Sequence, residues 1–289
     1  MNLVSKSMVM SLAALSAPSA WSMAVVPGFD ANVLEANDDG STGAVDLGFT
    51  ANFFGQEFGS VFVNNNGNIT FDAPLSSFTP FDLTSTSQVI IAPFFADIDT
   101  RGAGSSPVTY GQGTQDGRAA FGVNYVDVGY FSSNDDLLNS LQLIVVDRSD
   151  VSEGDFDFIF NYDQIQFETG DASSGTNGLG GDSARAGFSN GTGDDGTFFE
   201  LEGSALNGAF LDGGPNSLSE IGSLTFEVRN GVVAEPLPTP VVPPVVDPPA
   251  DPPVDPPVAP APPTVVPTPG AVGMGLVLLG GLAAGRRRR

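Results

Sequence analysis

The chain of 289 residues carries 34 acidic and 10 basic residues, a formal net charge of −24, with neither Cys nor His. That composition excludes disulfides, thiol chemistry and thiolate or imidazole metal sites, and its negative field argues against nucleic acid and anionic membrane surfaces as partners. Any metal is expected to be a hard cation held by oxygens, calcium before zinc.

Lys6 followed by an apolar run from Ser7 to Ala17, with small residues at Ser22 and Ala24, reads as a secretory signal peptide over residues 1–24, which would remove Trp21. Residues 25–269 then hold 5 Arg against 34 acids, a net of 5 minus 34, or −29. Every one of the 22 phenylalanines lies between Phe29 and Phe226, whereas 16 of the 23 prolines lie between Pro236 and Pro269. This shift marks one folded domain over residues 25–231.

Within it, apolar and polar residues alternate with period two at Asp155 to Tyr162, where four aromatics share one face and mostly polar groups the other. Similar runs are Val61 to Phe71, Val89 to Phe95, Arg118 to Val126, Ser140 to Val146 and Ser223 to Arg229. Asn66-Gly67 suits a two-residue type I′ hairpin, which would set Val63 against Thr70 and Phe62 against Phe71. With no helical period and no room for crossover helices, the pattern predicts an all-β fold, an antiparallel β-sandwich of about ten strands.

Residues 232–266, with repeated Asp-Pro-Pro units, are expected to be a disordered proline-rich linker, an extended spacer on the order of 100 Å. In residues 267–289, Pro267-Thr268-Pro269 precedes an apolar run over residues 270–285 and then Arg286, Arg287, Arg288 and Arg289. A helix over that run reaches roughly 24 Å against roughly 30 Å of bilayer hydrocarbon. The arginines would stay cytoplasmic. The expectation is a short C-terminal transmembrane helix with everything before it outside; an ordinary permanent anchor is the alternative.

This order of proline motif, small-residue helix and arginine cluster resembles the PEP-CTERM sorting tail of Gram-negative bacteria, with Pro267-Thr268-Pro269 standing where that family has Pro-Glu-Pro. The resemblance implies transient anchoring in the inner membrane, an exosortase-type membrane protease as a transient partner, and release towards the cell surface or an extracellular matrix.

Four strings carry a second resemblance. They are Phe62-Val63-Asn64-Asn65-Asn66-Gly67-Asn68-Ile69-Thr70-Phe71, Ile91 to Arg101, Gln142 to Arg148, and Phe167-Glu168-Thr169-Gly170-Asp171-Ala172-Ser173. In this order, with Ala186-Gly187-Phe188-Ser189 and Gly203-Ser204 downstream, they are similar to the nidogen-like (NIDO) extracellular domain over roughly residues 44–231. The family often has Trp where this chain has Phe95 and Phe167. The resemblance implies cell-matrix adhesion, with extracellular polysaccharide or matrix components as partners and no catalytic residues.

Asp97, Asp99 and Arg101 follow a strand end, as do Asp147, Arg148 and Asp150. One reading pairs these arginines with their neighbouring acids. The other is a calcium site using Asp97, Asp99 and an acid of another loop such as Asp171. Asn190 to Leu201 has oxygens at alternate places but lacks the glycine and terminal glutamate of an EF-hand loop. Glu168 with Asp171, or Asp155 with Asp157, could serve as the carboxylate pair of a hydrolase acting on exopolysaccharide. The blander reading solvates Asp155 and Asp157 and has Glu168 and Asp171 organise the loop Gly175 to Gly181. A serine nucleophile has neither His nor, after export, Lys to activate it.

Overall fold

In a computed structural model of the chain, the described residues are 25–234 together with a two-residue strand at 237–238. The expected signal peptide, most of the proline-rich linker, the sorting motif and the C-terminal helix lie outside the described residues. Among the described residues no helix is long and apolar enough to cross a membrane.

The strands form two wholly antiparallel sheets. The first runs β1 (Asn32–Leu34), β6 (Val108–Gln115), β7 (Arg118–Tyr130), β8 (Asn134–Asp147), β9 (Phe156–Gln164), β12 (Ser223–Arg229), with β13 (Val232–Val233) and β14 (Leu237–Pro238) both paired to β12. The second runs β11 (Phe198–Glu200), β10 (Arg185–Asn190), β5 (Val89–Phe95), β4 (Asn68–Thr70), β3 (Gln56–Asn64), β2 (Val45–Phe53). Among the described residues helix is confined to one turn, α1 (Leu218–Ile221), and a 3-10 turn at Asp171–Ser173. The described residues hold fourteen strands against the expected ten because several are only two or three residues long.

The core between the sheets is aromatic. Phe156, Phe158, Phe160 and Tyr162 on β9 all point into it and are fully buried. Phe158 stacks on its cross-strand neighbour Phe226 with ring centroids 4.6 Å apart and planes 8° apart, and Phe188 of the other sheet meets it edge-on at 5.7 Å. Each such ring contributes about 1.5–3 kcal/mol on burial, so this interlock is what holds sheet to sheet.

The opposite face of β9 departs from the expectation of a solvated polar surface. Asn124, Gln142, Asn161 and Ser223 lie in register across four strands and are linked side chain to side chain at 2.7, 3.0 and 2.8 Å. Gln142 and Asn124 also bind the backbone of Val26 and Phe29, so the segment entering the fold covers the ladder. Asp157 is buried, bonded by Arg148 and Arg229 at 2.5 and 2.6 Å, and Asp155 accepts the Asn230 amide at 2.7 Å. Both acids therefore hold the fold together. An antiparallel edge face is buried whenever another segment crosses it, which alternation along one strand does not report.

Two turns differ from expectation. At Asn66-Gly67 the register is Phe62 to Thr70, Val63 to Ile69 and Asn64 to Asn68, one residue off the predicted pairing. The loop has three residues, and of these only Gly67 takes positive φ (74°), so it is not a type I′ turn. That turn occurs instead at Asn230-Gly231 (φ 49° and 79°), joining β12 to β13. Ordered backbone thus runs past the expected domain end at 231, because these residues complete a hairpin with β12.

Candidate metal centre

The β3–β4 turn and the end of β5 lie together, since β3, β4 and β5 are successive antiparallel neighbours. The Asn-rich string forms the frame there. Asn64, Asn65, Asn66 and Asn68 are all buried, so this run offers no exposed adhesive edge. Their amides saturate backbone groups of three loops at once. Asn65 donates from Nδ2 to the carbonyls of Asp38 and Ile98, and its backbone amide reaches the Gly40 carbonyl at 2.9 Å. Asn66 accepts the Ile98 amide at 3.0 Å and donates to Asp39 Oδ1 at 2.9 Å and to the Ser77 carbonyl at 3.2 Å. Gly67 is required for space as well as φ: a Cβ there would sit 1.7 Å from the Phe94 carbonyl oxygen.

This frame brings the β1–β2 loop, carrying Asp38 and Asp39, against Asp97 just after β5. One carboxylate oxygen from each of the three lies within 4.8 Å of the other two. Asp97 is 1% exposed, and neither of its carboxylate oxygens has a hydrogen-bond donor; Asp38 Oδ1 is likewise buried and unpartnered. The nearby Ser173 amide and hydroxyl are turned to Gly170 and to Thr79 and Phe78. Burial, then the charges of Asp38 and Asp39, push Asp97 up to about 7 against the weaker pull of the nearby Ser173 hydroxyl and amide, neither of which reaches hydrogen-bonding geometry. Burial and the neighbouring acids push Asp38 up to about 6 against the pull of Arg101. Gly170 closes over Asp97, leaving room for no side chain: its Cβ would meet Asp97 Oδ2 at 2.5 Å.

Of the sequence-derived candidates, then, Asp97 belongs to this cluster, and Asp99 and Asp171 do not share it. Asp99 is consumed by Arg101. Its Oδ1 accepts the Arg101 amide and Nε at 3.0 and 2.8 Å, and its Oδ2 accepts Arg101 Nη2 and the Ser133 amide at 2.6 and 2.7 Å. Burial works to raise its pKa, but these bonds prevail and hold it below the usual carboxylate value. Asp171 is exposed and opens the 3-10 turn. The arginine-pairing reading thus describes Asp99, and Arg148 with Asp150 and Asp157. Asp38 and Asp39 were missed because 58 and more residues separate them from Asp97; the one local sign was the oxygen-rich string Asn37-Asp38-Asp39-Gly40.

The carboxylates considered for hydrolysis are placed otherwise. Glu168 is fully buried, and its side chain accepts the amides of Gly208 and Phe210, both at 2.6 Å, anchoring residues 206–210, while its backbone amide donates to the Gly178 carbonyl of the Gly175 to Gly181 loop at 2.9 Å. A cleft of about 330 Å³ beside β1 and β6 holds one acid, Asp46, whose Oδ1 accepts the Gly48 amide at 2.8 Å.

Residues 18–205 match a family model described as NIDO related. The chain is 34% identical over 192 residues to alpha-tectorin of Homo sapiens and of Mus musculus, and 32% identical to that of Gallus gallus. These alignments cover 58% of this chain but only 8–9% of the relatives' own length. No solved structure matches the chain significantly. Matched by the family model over well more than half of its length, with an all-β sandwich beneath the match, the chain belongs to the NIDO-related family.

Proposed function

We propose that the protein is an exported, non-enzymatic cell-surface or biofilm-matrix protein that mediates cell-matrix adhesion through its nidogen-like domain. The observation that carries this reading is the NIDO-related match over residues 18–205, alongside which stands the likeness to alpha-tectorin. Adhesive contact is assigned to exposed polar loops, since the Asn-rich string is buried in the fold. Delivery rests on residues 267–289: an exosortase-type protease of a Gram-negative bacterium would cut near Pro267-Thr268-Pro269 after transient anchoring in the inner membrane. The partners are then extracellular polysaccharide or other matrix components.

The hydrolase alternative loses its chemical basis where Glu168, Asp155 and Asp157 are each committed to backbone amides or arginines. A deletion strain tests the adhesive role: biofilm cohesion falls and returns on complementation, and unchanged cohesion overturns it. Mass spectrometry of the secreted form tests delivery; a surface form that still carries Arg289 contradicts cleavage.

A further inference from the structure

We propose that Asp38, Asp39 and Asp97 form a calcium site that clamps the β1–β2 loop to the end of β5. The proposal stands on the geometry of these three residues and does not depend on the matrix role.

Three carboxylate oxygens, both of Asp97 and Oδ1 of Asp38, are buried with no donor. Buried acceptors are nearly always paired, and an uncompensated buried carboxylate costs several kcal/mol by general experience. Among the described residues no cation is left to supply. All five arginines of the described residues are already in ion pairs, and the only one at the cluster, Arg101, reaches Asp38 Oδ2 at 3.1 Å and leaves Oδ1 free. The missing positive charge therefore comes from outside the described residues, and an ion is the source proposed.

The spacing fits a single ion. Oxygens bound at about 2.3–2.6 Å lie at most about 5 Å apart across a calcium ion. One oxygen from each acid falls within 4.8 Å of the others. The donors are held in place before any ion arrives: Asn66 fixes Asp39, Asn65 fixes the Asp38 backbone, and Gly170 leaves the Asp97 carboxylate uncovered by a side chain. An all-oxygen donor set selects a hard cation. Calcium is favoured over magnesium because magnesium keeps most of its water and demands a near-ideal octahedron, whereas calcium accepts an irregular set of protein oxygens.

An ion here would tie together two segments that the chain separates by 58 residues, Asp39 to Asp97, and would neutralise part of the local acid excess. The purified full chain, stripped with chelator, is titrated with calcium chloride and separately with magnesium chloride by calorimetry, and its melting temperature is followed in each. One calcium per chain is expected, with a Kd of about 10⁻⁴–10⁻³ M as in other extracellular modules, and magnesium weaker. Calcium raises the melting temperature, since it binds the folded state. Asp97→Asn weakens calcium binding by at least about tenfold. Asp171→Asn binds as the wild type does. Should Asp97→Asn fail to fold, Asp39→Asn carries the test by the same criterion, because an amide oxygen can still accept from Asn66. No heat and no thermal shift in the wild type, or wild-type affinity in the folded Asp97 or Asp39 variant, overturns the site.

Discussion

Replacing Asn66 by Ala probes the frame on which the candidate centre is built. Asn66 is 1% exposed, and its amide group makes three bonds, to the Ile98 amide, Asp39 Oδ1 and the Ser77 carbonyl. Each is worth about 0.5–1.5 kcal/mol net; the Ile98 N–H keeps its 3.0 Å bond to the Ala96 carbonyl, so no buried donor is left wholly unpaired. Allowing for overlap between these terms, the loss is about 2–4 kcal/mol. For a domain of this size 1 kcal/mol moves Tm by about 2–4 °C, so the expected fall is about 5–15 °C by circular dichroism. Asn66→Asp retains the acceptor for Ile98 but turns both donors into acceptors facing Asp39 and Ser77. It should be at least as unstable as Asn66→Ala at pH 7. A fall of less than about 1 °C in Asn66→Ala would contradict this role, because one buried and two part-buried bonds cannot be that cheap. So would a more stable Asn66→Asp.

Other expectations follow from the same structure. Gly67→Ala and Gly67→Asn should both lose soluble folded protein, since a Cβ meets the Phe94 carbonyl at 1.7 Å whatever the tolerance for positive φ; a stable Gly67→Asn contradicts this. Phe158→Ala removes the ring between Phe226 and Phe188 and should cost about 3–5 kcal/mol in denaturant melts, with Phe158→Leu well below that. Glu168 is held above its ordinary value of 4.5 chiefly by burial, partly offset by the Gly208 and Phe210 amides. A raised folded-state pKa gives stability that is full below the unfolded value and lost as pH rises through the folded one. The stability of the wild type relative to Glu168→Gln should therefore be greatest near pH 4 and fall towards pH 7, and a wild type that gains on Glu168→Gln as pH rises contradicts it.

Much of the sandwich was legible because its central strands are strongly patterned. The bounds of β5 and β12 coincide with the runs read at Val89 to Phe95 and Ser223 to Arg229, and the aromatic face of β9 points where alternation put it. β6, Val108–Gln115, was not legible: its Gly, Thr and Gln residues carry no apolar period, and it is a strand because it pairs on both sides. Asn-Gly marks a turn wherever it occurs but does not fix loop length, which is why Asn66-Gly67 and Asn230-Gly231 give different turns. The candidate centre was half legible. Asp97 stood out by following a strand end, but its partners come from a distant loop, and the Asn run that joins them reads as surface until its bonds are seen.

In the proposed role this domain binds matrix without transforming it. The most direct test incubates the purified full chain with exopolysaccharide isolated from the producing organism, in calcium and in chelator, and measures both sedimentation of the protein and new reducing ends. Saturable co-sedimentation with no reducing ends released is expected. Absence of retention, or release of reducing ends that Glu168→Gln abolishes, would contradict it.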